Sequence, residues 1–462
     1  MGSKKVEQLL RKIAILTRQN QDQARQIKEL QQKLDKCLDL HERGLVKHEE
    51  TDNELKGEVI KADMATVLFA HVEGFSKIAQ YHNSREMMDW LDDMFLYFDQ
   101  IIARYNIHKI RTIGDTYMCV GGLNGKNMVN PVEVILAAFE MKQYVEEVEK
   151  HYQCNDHVWD ISFAIHTGPV SATVNGKKKN TYDIKGDTVN ITTRIETSAG
   201  THCIMISSMT YELVKEFFRC EFAGIVPVRY KDEMDIYRVD GIHNDLNEDV
   251  HRSVKGIIRV NGSFHTKMLL MRFNDLQEYM LNRLENELEP DMFYHNIKHT
   301  VDVVTQAELI GLGEGVDDEE MLLLKTAALF HDAGHLKNYD EHEKYSVEMA
   351  RQILPGFSFS EQQIELICDL ILSTKMPQTP RNKLQRIICD ADLDYLGRVD
   401  FIPVSNSLYE ELRKRHKINS FNEWNQHQLR FISKHQYFTE TARNLREVNK
   451  QKQIMRIKEL IN

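Results

Sequence analysis

Histidine and aspartate gather in three short stretches of this 462-residue chain, at spacings that suit a divalent cation. The first is Tyr294-His295-Asn296-Ile297-Lys298-His299; His295 and His299 are four apart, so one helical turn brings them to a common face. The second is His331-Asp332-Ala333-Gly334-His335, directly after the apolar run Ala327–Phe330, and the third is Cys389-Asp390-Ala391-Asp392. Imidazole and carboxylate are the usual ligands of borderline divalent metals. An ion held by them lowers the pKa of its water towards neutrality, which is the chemistry of metal-assisted hydrolysis. A lone histidine on a helix is more often a core or surface residue than a ligand. Four of them beside an aspartate in apolar surroundings are another matter, because unpaired polar groups there are costly.

Earlier in the chain, polar residues stand at two tight turns. Phe69-Ala70-His71-Val72-Glu73-Gly74-Phe75 ends one apolar run, and Arg111-Thr112-Ile113-Gly114-Asp115-Thr116 contains a Gly-Asp turn. A carboxylate at such a turn can hold a cation against a triphosphate. Gly-Asp is also a common turn dipeptide with no chemistry attached.

The elements that must position these residues follow from periodicity. Ala65–Val72 reads as a strand, Met87–Tyr105 as a helix, and Lys109–Leu123 as a hairpin turned at Gly114-Asp115. Ile161–Val174 reads as a strand pair and Asp187–Ser198 as a helix. From Met268–Leu288 onward, with Pro290 as a stop, the pattern is helical to the end. At the start, Val6, Leu9, Ile13, Leu16, Ile27, Leu30 and Leu34 form a heptad seam, with Asn20 at a position that favours a parallel pair. The expected organisation is a parallel dimeric coiled coil over 1–44 and a connector over 45–56. A mixed domain over 57–241, a linker over 242–262 and an all-helical domain over 263–462 follow.

Composition removes several classes of function. A net charge of −11 argues against a nonspecific nucleic-acid binder, and no apolar run is long enough to cross a bilayer. The N-terminus is polar and charged, unlike a signal peptide, so a cytoplasmic location is expected. Seven scattered cysteines without a C-x-x-C pair predict reduced, mostly buried thiols.

The middle region resembles the class III nucleotidyl cyclases. The resemblance rests on Thr66–Ala70 with Gly74-Phe75, Thr112-Ile113-Gly114-Asp115, Ile165-His166-Thr167-Gly168-Pro169-Val170 and Tyr182–Asn190. It implies an α+β, ferredoxin-like domain with a βαββαβ core and active sites shared across a homodimer. It further implies Asp115 as a metal aspartate for Mg or Mn, with Asn190 and Arg194 on the ribose and α-phosphate. Lys231 would serve as a phosphate cation. The adenine-reading positions hold Arg111 and Asp183, which favours ATP over GTP. One departure stands out: His71 replaces the family's first metal aspartate, and imidazole is a poor ligand for Mg²⁺. Glu73 is a possible substitute.

The helical region resembles the HD superfamily of metal phosphohydrolases, an all-α fold. The resemblance implies His299, His331, Asp332 and Asp392 as ligands for Mg, Mn, Fe or Zn. Asp390 is an alternative last ligand, and His335 and His342 are candidates for a second ion. Tyr294-His295-Asn296 followed by His299 looks like the cyclic-nucleotide phosphodiesterase signature, which makes His295 a general acid for the leaving 3′-oxygen. No glutamine suited to clamp a purine is evident near the C-terminus. Together these imply a homodimer acting on ATP and cyclic AMP through opposed domains. The alternative is a cyclase-type domain that only senses nucleotide and regulates an HD nucleotidase.

Overall fold

A computed structural model describes residues 59–73, 84–123, 127–152, 160–174, 182–198, 200, 202–228, 232–248 and 259–461. The heptad segment and Lys231 lie outside the described residues, as does the side chain of Glu73. Residues 57–462 form one compact unit.

The first part is an eight-stranded sheet in the order β2-β3-β1-β4-β6-β8-β7, with β5 paired to the far end of β4. The strands are β1 (Val59–Glu73), β2 (His108–Ile113), β3 (Thr116–Gly121), β4 (Asp160–Val174), β5 (Tyr182–Lys185), β6 (Ile204–Ser207), β7 (Phe218–Pro227) and β8 (Glu233–Ile242). Between them run α1 (Ser84–Arg104), α2 (Asn130–Tyr152), α3 (Asp187–Ser198) and α4 (Ser208–Val214). Side chains alternate across the sheet. Leu68, Ala70 and Val72 of β1 join one core with Phe95 and Phe98 of α1 and Ile135 of α2, while Val67 and Phe69 join another with Ile195 of α3. Both faces are covered, which explains why β1 reads as an unbroken apolar run rather than an alternating one.

The helix over Asp187–Ser198 and the hairpin at Gly114-Asp115 fall where the sequence places them, and Gly114 takes φ +60°. The segment Ile161–Val174 does not. It is one continuous strand instead of a pair, antiparallel to β1 along its length. Pro169 is tolerated because it stands at the β1 irregularity between Ala62 and Ala65, where the ladder is already broken.

His166 on β4 is buried, with Nδ1 2.7 Å from Ser207 Oγ, and burial pushes its pKa down to about 4. An unfolded histidine protonates near pH 6.5, so the native state binds fewer protons below that point. Stability from this residue is complete above about pH 6.5 and declines as pH falls towards 4, by about 1.4 kcal/mol per unit. The urea midpoint should therefore drop over that window, and His166→Gln should flatten the drop.

The second part is all-helical: α5 (Gly262–Glu287), α6 (Ile297–Gly313), α7 (Asp318–Phe330), α8 (His342–Ile353), α9 (Glu361–Ser373), α10 (Lys383–Asp392), α11 (Phe401–Lys414), α12 (Phe421–Lys434) and α13 (Glu440–Ile461). Helix α5 belongs to both cores. Its Phe264 packs on Phe217 and Phe218 at ring distances of 5.2 and 6.2 Å, while Phe273, Leu276 and Met280 pack among the helices. Buried Asp275 accepts a 2.9 Å hydrogen bond from the backbone N–H of Met128, so a polar contact joins the two parts as well. Among the described residues no helix is long and apolar enough to cross a membrane.

Candidate functional site

Four side chains converge at the centre of the helical part. His299 is in the first turn of α6, His331 caps the end of α7, Asp332 follows it, and Asp392 ends α10. The Nε2 atoms of His299 and His331 are 3.3 Å apart. Asp332 Oδ2 is 3.3 Å from His299 Nε2 and 3.1 Å from His331 Nε2, and Asp392 Oδ1 is 3.5 and 3.6 Å from the same two atoms. Ligands about 2.1 Å from a common ion stand about 3.0–3.4 Å apart at octahedral to tetrahedral angles. His331 Nδ1 is 2.8 Å from the Ala328 carbonyl, so it carries the hydrogen and leaves Nε2 as a lone pair. Gln378 Nε2 donates to Asp392 Oδ2 at 3.0 Å, which turns Oδ1 towards the cluster.

Electrostatics agree with the geometry. Burial would lower His299, yet the facing Asp332 and Asp392 carboxylates raise it to about 9. Burial would raise Asp332, yet His331 and His299 hold it well below the ordinary carboxylate range. Both shifts express a demand for positive charge at the centre of the cluster, which a divalent ion meets.

Asp390 is not part of this set. It accepts hydrogen bonds from the N–H groups of Phe438 and Thr439 and from Thr439 Oγ1, at the start of α13. Two positions on a helix are about 200° apart, so Asp390 and Asp392 face opposite ways. Of the two aspartates the sequence left open, Asp392 is the one that faces His299 and His331.

His295 and His299 do not share a helix face. His295 lies in the turn before α6, where the Asn296 side chain caps the helix by accepting from the N–H of Lys298 and His299. Its ring reaches the cluster from that turn, and one atom each of His295, Asp332 and His335 lie close enough together to hold an ion. His335 stacks on His342 at 4.1 Å, and both its ring nitrogens are buried without a hydrogen-bond partner, as is Glu343 Oε2. Burial pushes His335 down to about 2, so it remains neutral and free to ligate.

Two residues escaped the sequence reading. Glu411 of α11 is fully buried and accepts from the N–H groups of Tyr294 and His295, from Tyr339 Oη, and from His295 Nδ1 at 2.5 Å. Burial opposes its ionisation, but the His295 ring and these N–H donors keep it below the ordinary range. Gln428 of α12 is the other. It lines a cavity of about 280 Å³ together with His295, Asp332, Asp392, Leu408, Trp424 and Phe431. Ser405 Oγ accepts from both Gln428 Nε2 and Trp424 Nε1. Neither residue stands in a motif, since both lie on amphipathic helices well beyond the histidine stretches in the chain. On α13, Arg446 holds buried Asp394 and buried Lys450 donates to the His435 carbonyl, while Arg443 is exposed.

Gly334 sets the local geometry. A Cβ there would lie 1.9 Å from the His342 carbonyl oxygen, and its N–H donates to Ser346 Oγ, which in turn donates to the His331 carbonyl. Gly334→Ala must push α8 away from the His331-Asp332 turn. The expected result is a fall of several degrees in melting temperature and the loss of most bound metal, checked by calorimetry and elemental analysis. Unchanged values would remove this account.

In the sheet part, His71 and Thr116 are cross-strand partners and Asp115 is in the hairpin turn. Asn190 is exposed on α3, and Arg194, one turn on, donates to the Pro227 carbonyl at 2.8 Å. Arg111 is exposed on β2, and Asp183 on β5 is 3.9 Å from the Lys185 amine.

Comparison with known proteins matches this division. Residues 58–241 match the family described as the adenylate and guanylate cyclase catalytic domain, and residues 296–394 match the HD domain. The chain therefore combines a class III cyclase catalytic domain with an HD domain. Similar curated proteins include atrial natriuretic peptide receptor 2 of Rattus norvegicus, 30% identical over 199 residues, or 42% of this chain and 19% of the receptor. Guanylyl cyclase C of Cavia porcellus is 33% identical over 158 residues, covering 34% of this chain and 14% of that protein. The chain thus spans about a fifth or less of these relatives. Among solved structures, the catalytic core of a rhodopsin-guanylyl cyclase in complex with ATPalphaS is 25% identical, covering 40% of this chain and all of that one, with a TM-score of 0.36. The adenylyl cyclase CyaB from P. aeruginosa is 21% identical over 41% of this chain and 99% of that one, with a TM-score of 0.37.

Proposed function

We propose that the helical part is a metal-dependent phosphohydrolase acting on cyclic nucleotides, with the cyclase-type domain as its nucleotide-binding partner. The observation that supports this most is a cavity lined by His295, by Asp332 and Asp392 of the central cluster, and by Gln428 and Phe431. No lysine or arginine lines it, so a phosphate bound there depends on metal charge. When bound, a divalent ion supplies Lewis acidity and lowers the pKa of an attacking water.

The chain's own residues do the rest. Glu411 fixes the His295 ring through Nδ1, leaving Nε2 to donate a proton to the departing 3′-oxygen. Ser405 orients the Gln428 amide, whose remaining polar atom can pair with a purine edge while Phe431 packs on its face. The apolar wall of Leu393, Leu408 and Leu412 excludes water from the base.

For the cyclase-type domain, Asn190 and Arg194 are the proposed ribose and α-phosphate contacts, and Lys231 a phosphate cation. Arg111 and Asp183 read adenine. Homodimerisation through this domain and the heptad segment belongs to the same proposal. Asp115 is the one expected metal aspartate present. His71 makes a poor partner for it in a Mg²⁺ site, so the reading as a nucleotide-binding regulator is favoured over efficient synthesis of cyclic AMP.

The test is direct. The full chain is incubated with Mn²⁺ and cyclic AMP, cyclic GMP or nucleoside monophosphates, and separately with ATP or GTP. Release of 5′-AMP from cyclic AMP supports the reading. Release of phosphate from monophosphates, with cyclic nucleotides untouched, sinks it in favour of a nucleotidase. Rapid cyclic AMP formation from ATP with Mg²⁺ would overturn the regulatory role.

A further inference from the structure

His71 Nδ1 stands 2.9 Å from Thr116 Oγ1, 3.5 Å from Asp115 Oδ1 and 3.5 Å from Glu196 Oε1. Three elements bring these together: β1 and β3 pair His71 directly with Thr116, the hairpin turn carries Asp115, and α3 carries Glu196. Carboxylate oxygens are acceptors only, and a ring lone pair aimed between two of them would be repelled. Nδ1 therefore bears the hydrogen, donates it to Thr116 Oγ1 and turns the positive edge of the ring towards the two carboxylates. The three groups do not form a set of ligand atoms close enough to share an ion, unlike the two sets in the helical part. The two carboxylates instead flank the imidazole nitrogen.

We infer that the imidazole N–H of His71 fills the position between Asp115 and Glu196 that a divalent ion would otherwise take, so that this domain receives a nucleotide without a metal ion on Asp115. This deepens the regulatory reading above and rests on it only for the nature of the ligand. An aspartate at position 71 would leave the other carboxylates without this donor and add a hard anionic ligand, creating a cation site that the described residues of the sheet part do not form. The side chains of His71, Asp115 and Glu196 are 27%, 26% and 16% exposed, so an ion could enter from solvent once the donor is gone.

The experiment counts protein-bound Mn²⁺ per full-length chain by electron paramagnetic resonance at saturating metal, with ions in the helical part as a constant background. Asp115→Asn should bind the same number as the unaltered protein. His71→Asp should bind one more, and His71→Asn, whose amide N–H falls near that of the imidazole, should bind no more. Folding of each is checked by circular dichroism. Loss of one ion in Asp115→Asn would overturn the proposal, because the unaltered site would then already hold a metal. No gain in His71→Asp would also overturn it, because His71 would not be what keeps the ion out. Neither count depends on turnover. Failure of the nucleotide reading would show instead as an absence of ATP and GTP binding with these counts unchanged.

Discussion

Replacing Asp332 with alanine should reduce phosphoester hydrolysis by at least about 10³-fold and empty the central cluster of metal. Asp332 Oδ2 lies within 3.3 Å of both histidine Nε2 atoms, and Oδ1 is 3.5 Å from His342 Nε2, so this carboxylate faces both groups of histidines. Without it two neutral imidazoles and Asp392 remain, a set with one negative charge. A metal contributes several kcal/mol of charge stabilisation in such reactions. At about 1.4 kcal/mol per factor of ten, its loss corresponds to the stated drop. Initial rates and elemental analysis on the same preparation check both halves. A variant that loses its metal yet hydrolyses at the original rate would exclude the cluster as the catalytic centre.

The second large effect concerns His295. His295→Asn should slow cleavage of a cyclic nucleotide by about 10²–10⁴-fold, the usual contribution of a positioned acid. The same variant should cleave bis(4-nitrophenyl) phosphate with a much smaller loss, because nitrophenolate departs without needing a proton. Glu411→Gln should fall between the two, since a neutral amide still accepts from His295 Nδ1 but supports the ring less. Equal losses on both substrates would mean that His295 serves as a metal ligand or a packing group rather than as an acid.

Much of this site was legible because its chemistry is local. The His-Asp pair and the apolar run before His331 occupy a few consecutive residues, and unpaired polar groups in such surroundings signal ligands; the His295–His299 spacing misled, because His295 lies in the turn before α6. Gly334 stood in the same motif, but its necessity did not: that comes from the close approach of α8, invisible in one dimension. The Asp390–Asp392 ambiguity had the same origin. Both precede apolar helical residues, and only the docking of α13 on Asp390 separates them. The reading of β4 as two strands failed where the bulge in β1 makes Pro169 harmless, a compensation made by a strand about a hundred residues away.

Sequence alone, through short motifs and the resemblance they carry, thus named His299, His331 and Asp332 as candidate ligands and left Asp390 and Asp392 as alternatives for the last. Residue type and short spacing restrict which side chains can bind a metal. Tertiary structure decided how that set is used. It brought Glu411 behind His295 and Gln428 into the cavity from helices whose own patterns announce only amphipathic packing. It also placed Glu196 of α3 across from Asp115, with His71 between them. Sequence could name His71 as a missing carboxylate, but its bond to Thr116 and its approach to Glu196 depend on strand register and helix docking, which burial of the whole sheet sets.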